Sequence, residues 1–240
     1  GDYVVVPRTT DYLMVSDEKT PLFEMNSKGE VLQEIEIDGT KIDDAESISI
    51  DNNSLYIAAS VSFTKAGVIK NKRKKLVQLK RDEKRWVYYR ELNLYEVISF
   101  LSESKETDDE TRRYLAKALQ ETTINIEAHQ VRDNALYLGF KTPLNSAGQS
   151  VILKIDDLES LFSGTPAHAK IWKSFRLIDE SSKSVMTLSD MLFIGNKIYL
   201  TGVDTFNGNS SSGLWELDVD SDQVSNLQSF TGYRAEGIAI

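Results

Sequence analysis

Ala45-Glu46-Ser47-Ile48-Ser49-Ile50, a polar turn, and Leu55-Tyr56-Ile57-Ala58-Ala59-Ser60 set the pattern on which this chain is built. The pattern returns as Ile126-Glu127-Ala128-His129-Gln130-Val131 with Leu136-Tyr137-Leu138-Gly139-Phe140-Lys141. It returns again as Ser189-Asp190-Met191-Leu192-Phe193-Ile194 with Ile198-Tyr199-Leu200-Thr201-Gly202-Val203. Each first half carries a carboxylate at its second position, and each second half reads aliphatic–Tyr–aliphatic. The turns hold Asn, Asp or Gly, residues that tolerate the positive φ of tight hairpins. A fourth copy of the first half, Ala235-Glu236-Gly237-Ile238-Ala239-Ile240, ends the chain.

Two further short strands follow each hairpin: 75–80 and 85–92, then 150–155 and 170–177, then 213–219 and 224–230. Four strands in meander order per unit make one propeller blade, so the expected class is all-β, a β-propeller forming one domain over 1–240. The N-terminus supplies three strands of another blade, at 12–16, 22–25 and 31–37. Pairing Glu236 to Ile240 with them as the innermost strand gives four four-stranded blades and leaves no exposed sheet edge. Five blades, with Tyr3 to Val6 as a first strand, or a fragment of a larger propeller, is the alternative. Leu94 to Leu101 and Asp108 to Gln120 read as helices of an insertion over 94–121, the second capped by Thr107. Asp157 to Phe162 reads as a short helical turn.

Composition narrows the function classes. The 28 basic and 37 acidic residues leave a net charge of −9, unsuited to coating nucleic-acid phosphates. With no cysteine, thiolate catalysis, disulfides and iron–sulfur clusters are excluded. No apolar run approaches the ~20 residues of a membrane helix. The chain starts on Gly1 and not Met, as expected where a targeting segment has been removed. The expected location is periplasmic or secreted, with the cytoplasm left open, and the expected state is a monomer.

The strands Asp44-Ala45-Glu46-Ser47-Ile48, Ile126-Glu127-Ala128-His129 with Gly139-Phe140-Lys141-Thr142-Pro143, and Ala235-Glu236-Gly237-Ile238-Ala239 resemble those of a bacterial β-propeller-like family of unknown function with repeated E-G-[LI]-A strands. Ser47 and Ala128 stand where that family has Gly, and Lys141 stands where it has Arg. Lysine lacks the planar fork that clamps an anion with two parallel hydrogen bonds. At greater distance the strands are similar to those of phytase-associated esterase-like propellers and calcium-dependent lactonase-like propellers.

If like positions of successive repeats meet around one axis, Glu46, Glu127, Asp190 and Glu236 form a ring at one channel mouth. Two carboxylates ~5 Å apart repel by ~3 kcal/mol at an effective dielectric of ~20. A Ca²⁺ ion held by these four acids, a shared proton or Lys141 would offset the repulsion. Alternatively, each acid accepts backbone N–H groups and locks neighbouring blades. The ends of the second strands add Asp17, Ser60, Lys141 and Asp204 to the same mouth. His129, two residues after Glu127, reads either as a proton carrier or as a satisfied structural histidine.

The expected function is a ligand-, ion- or partner-binding module using that mouth, for a small ligand or a protein on the propeller face. The alternative is a calcium-assisted hydrolase of an ester, lactone or phosphoester, with Glu127, His129 and Lys141 as candidate catalytic residues. The basic run Lys70 to Lys75 and the Asp218-x-Asp220-x-Asp222 run read as solvated loop and turn.

Overall fold

The computed structural model describes residues 3–5, 12–16, 22–83, 85–165, 167–206 and 210–239. Four antiparallel sheets follow one another along the chain. The first blade is β1 (Tyr3–Val5), β2 (Tyr12–Val15), β3 (Leu22–Met25) and β4 (Val31–Ile35). The second is β5 (Ala45–Asp51), β6 (Ser54–Ala59), β7 (Lys75–Asp82) and β8 (Arg85–Asn93). After α1 (Leu94–Glu103) and α2 (Asp109–Gln120) comes the third: β9 (Asn125–Arg132), β10 (Ala135–Thr142), β11 (Ser150–Ile155), a short α3 (Leu158–Phe162) and β12 (Ala169–Phe175). The fourth has five strands: a two-residue β13 (Leu177–Ile178), β14 (Val185–Ile194), β15 (Lys197–Val203), β16 (Ser211–Asp218) and β17 (Val224–Thr231). The arrangement is a four-bladed β-propeller with β1, β5, β9 and β14 as the successive inner strands.

Alternation along the strands builds the seams between blades. Leu136, Leu138 and Phe140 of β10, with Val151, Leu153 and Ile155 of β11, feed an apolar cluster shared with the second blade. The opposite face of the same blade, including Ala128 and Ile152, joins Leu188, Met191, Leu200 and Trp215 of the fourth. A third cluster joins Leu13, Val15 and Leu22 of the first blade to Ile48, Leu55, Val77 and Leu79 of the second. The hairpin turns are as their residues demand: Asp133 and Asn134 both hold positive φ, as does Gly195, the geometry that matches strand twist.

The helices are set into the seam between the second and third blades. Leu94, Ile98, Leu101, Leu115 and Ala118 are fully buried there, and the Tyr114 ring meets Phe140 edge-on. Thr107 does not cap α2. Asp108 does, accepting the Thr111 N–H at 2.9 Å and its hydroxyl at 2.7 Å, because a carboxylate directly before the first turn reaches the orphan amides best.

Closure also differs from the sequence expectation. The inner strand of the first blade is β1, so the place expected for Glu236 to Ile240 is already filled. Residues 233–239 run as an irregular tail from the fourth blade toward the first. The Ala235 N–H donates to Ser212 Oγ at 2.9 Å, the Ile238 N–H donates to Asp190 Oδ2 at 2.7 Å, and Ala239 borders a shallow cavity with Tyr12 and Met25. With no free strand edge to join, the tail satisfies its backbone through side chains. Ile240 lies outside the described residues.

Gly139 is required where the third and fourth blades close. A Cβ there would stand 2.6 Å from Leu188 Cδ2 and 2.9 Å from Ala128 Cβ. Gly139→Ala is expected to cost about 1–3 kcal/mol by overpacking, lowering the melting temperature by roughly 3–10 °C. Leu188→Ala in the same chain should recover part of that loss in a double-mutant cycle.

Candidate functional site

The repeated carboxylate has a structural cause. In β5, Ala45 pairs with Ala59 and Ser47 with Ala58, so Glu46 has no cross-strand partner. In β9, Ile126 pairs with Phe140 and Ala128 with Gly139, which leaves out Glu127. In β14, Leu188 pairs with Gly202 and Asp190 with Thr201, which leaves out Ser189. β5, β9 and β14 therefore each carry a one-residue bulge at the same place, while β1 pairs with β2 without one; a bulge breaks alternation and re-aims a side chain. The third member of the series is Ser189, not Asp190. Spacing carries the signal: Glu46, Glu127 and Ser189 each stand ten residues before Tyr56, Tyr137 and Tyr199, whereas Asp190 stands nine before.

Glu46 and Glu127 come close enough to interact electrostatically. Glu127 is 7 % exposed. Its Oε1 accepts from Asn125 Nδ2 at 2.8 Å and lies 3.0 Å from Lys141 Nζ. Glu46 is largely shielded, and its carboxylate makes no hydrogen bond or ion pair among the described residues. Burial first, then the Glu127 and Asp44 carboxylates, raise its pKa to about 8, against the weaker pulls of the N-terminal amino group and Lys141. Asp44, just ahead of the bulge, is bound by Ser60 Oγ, by Ser62 Oγ at 2.8 Å and by Arg73 Nη1 at 3.1 Å. The Ser60 carbonyl accepts the Ile126 N–H at 2.8 Å, which joins the second blade to the third.

Two of the expected ring acids stand elsewhere. Asp190 is 1 % exposed, and its oxygens accept the N–H of Met191 and of Ile238, each at 2.7 Å. It fastens the tail. Glu236 lies on that tail, half-exposed, 3.5 Å from Arg234 Nε. Among the described residues no three His, Asp or Glu side chains are grouped to share a metal ion. Asp204 is buried, with its N–H on the Ser211 carbonyl at 3.0 Å. Asp17 lies outside the described residues.

His129 is wholly buried between Ser47 Oγ, 2.6 Å from Nδ1, and Ser49 Oγ, 2.9 Å from Nε2. A neutral ring donates through one nitrogen and accepts through the other, so it satisfies both serines. Burial holds its pKa down at about 3. Glu127 and His129, two residues apart, thus serve different partners. Sequence reasoning passed over Asp44, Asn125 and Ser189. The first two flank the bulge glutamates, and all three are set by the bulge register. Of the basic run, Lys70 and Arg73 reach Asp43 while Lys75 reaches Glu91.

No family model and no curated protein matches the sequence. Among solved structures, the chain is similar to a chain of hydrazine synthase from Kuenenia stuttgartiensis, with 12 % identity and a TM-score of 0.43 over 95 % of this chain. The chain spans 53 % of that chain's length. No helix among the described residues is long and apolar enough to cross a membrane.

Opposite pH dependences follow for the two buried groups. Glu46 titrates near 8 when folded, against 4.5 ordinarily. Its ionisation therefore opposes folding, and wild-type stability should fall as pH rises from about 4.5 to about 8. Glu46→Gln should melt roughly 2–6 °C above wild type at about pH 9, with the gap closing below about pH 5. His129 titrates near 3 when folded, against 6.5 ordinarily. Its contribution is complete above about pH 6.5 and is lost as pH falls toward 3. His129→Asn should cost about 1–3 kcal/mol at neutral pH and flatten this acid limb in melts from about pH 7 to pH 4.

Proposed function

We propose that this propeller is a binding module whose ligand enters at the axial mouth, onto Glu46 and Glu127. One observation carries the reading: a largely buried carboxylate, Glu46, stands beside a second buried acid and makes no hydrogen bond or ion pair among the described residues. Native proteins rarely leave such a group uncompensated, and sites that do are enriched in binding and catalytic roles. Lys141 and Asn125 compensate Glu127, and Ser60, Ser62 and Arg73 compensate Asp44. Glu46 is thus the one acid of the three that no described side chain answers with a hydrogen bond or ion pair.

The activities implied by the resemblance, esterase-like and calcium-dependent lactonase-like, gain no support from this donor set. Ca²⁺ calls for six to eight oxygens, whereas Asp190 and Glu236 are engaged with the tail. His129 is sealed between two serines, which supports the reading of a satisfied structural histidine.

The test is a thermal-shift screen of wild type and Glu46→Gln against a broad set of small charged and neutral metabolites. Ligands at ~100 times their Kd stabilise by ~2.7 kcal/mol, a shift of several degrees. Hits that lose their effect in Glu46→Gln support axial binding. Hits that shift both proteins equally place the ligand elsewhere and overturn the reading.

A further inference from the structure

Charge is spread very unevenly along the chain. Residues 61–75 hold six basic residues and no acid. Subtracting them from the chain's 28 basic and 37 acidic residues leaves −15 on the rest. This stretch joins β6 to β7, and its base is fixed by backbone hydrogen bonds. The carbonyls of Lys72, Arg73 and Lys74 accept the N–H groups of Asp43 at 3.1 Å, Val61 at 2.9 Å and Leu94 at 2.6 Å. Ile69 is buried in the apolar cluster that holds α1. Beyond these anchors the Thr64 N–H meets the Val68 carbonyl at 2.9 Å, and the Gly67 N–H meets the Thr64 carbonyl at 2.8 Å, closing a tight tip. Lys65 to Val68 are exposed there, Val68 by 60 %. Lys70, Arg73 and Lys75 have acidic partners. Lys65 and Lys72 are exposed and make no ion pair among the described residues. Lys74 Nζ lies 5.0 Å from the centre of the Tyr95 ring.

We propose that this loop docks the protein on an anionic lipid bilayer. The surface is separate from the axial site and does not depend on the reading of Glu46. Lysines without a carboxylate partner meet acidic headgroups, each bringing about a fivefold gain in affinity near such a surface. The uncharged Ala66-Gly67-Val68 tip enters the interface. Valine leaves water there while the lysines keep their ammonium groups among the headgroups. The acidic remainder is repelled by the same headgroups, so the loop is the part that faces them. A nucleic acid fits less well, because its phosphates take a track of basic groups and not one loop. An acidic protein segment would answer the lysines and leave Val68 in water.

The experiment is co-sedimentation at low ionic strength with vesicles of phosphatidylglycerol and phosphatidylcholine at about 3:7, and with phosphatidylcholine alone. It compares wild type, Lys65→Gln/Lys72→Gln and Val68→Gln, each first shown to melt at the wild-type temperature. With no native cysteine, a nitroxide label on Val68→Cys is unique, and its oxygen accessibility reports entry among acyl chains. The same label on Leu227→Cys, exposed on β17, is the control. The expected result is binding to the mixed vesicles that weakens at least about tenfold in the double lysine variant, about twofold or more in Val68→Gln, and again when salt is raised to about 150 mM. The Val68→Cys label gains oxygen accessibility and the Leu227→Cys label does not. Absence of sedimentation at up to about 2 mM lipid overturns the proposal. So does equal binding to phosphatidylcholine alone, or binding that the double lysine variant leaves unchanged. A Val68→Cys label that stays in water, with polyglutamate bound through Lys65 and Lys72, assigns the loop to an acidic protein segment and overturns the lipid docking.

Discussion

In a regular antiparallel ladder side chains alternate between faces, and every inner-strand residue is committed to one seam or the other. The chain escapes that commitment at one place in each of the last three blades by inserting an unpaired residue. At Glu46, Glu127 and Ser189 the ladder skips, and the residues on either side keep their partners. The residues flanking the skip keep their places in the seams while the skipped residue is released from pairing. Burial of the two acids, the ion pair with Lys141 and the Ser189 hydroxyl, which has no hydrogen-bond partner, all descend from that skip.

The seams are not chemically alike. Between the third and fourth blades the contact is apolar and very close, with Leu188 over Gly139 and with Tyr137, Trp172 and Phe193 in mutual ring contact. Between the second and third it includes a polar joint, His129 held by Ser47 and Ser49. A fully satisfied buried polar group adds directional specificity that apolar packing lacks. Between the fourth and the first, Asp190 and Ser212 hold an irregular tail.

Much of the fold was legible because a repeated hairpin with alternating apolar residues has few ways to bury itself. The strands and both long helices fall within a few residues of their sequence positions. The misreadings share one physical origin. Asp190 is a carboxylate near the expected position, and chemistry was matched where register decides. Counting back from the tyrosines would have selected Ser189. Ala235 to Ile240 copies a strand sequence, yet strand formation needs an open partner edge, and β1 occupies it. The role of His129 was legible as an alternative, since nothing in one sequence reveals that two serines of another repeat will flank it.

The three tryptophans fall in three different blades, with Trp86 against one apolar cluster and Trp172 and Trp215 against another. Trp86 lies on β8 beside the apolar cluster joining the first two blades. Trp172 stacks on Phe193 across the next-but-one seam. Trp215 is buried within the fourth blade with its indole N–H on the Ile178 carbonyl at 3.2 Å. Intrinsic fluorescence from chains retaining one indole at a time would therefore distinguish the seam of the first two blades from that of the last two. Such emission could resolve whether the blades come apart together or in succession.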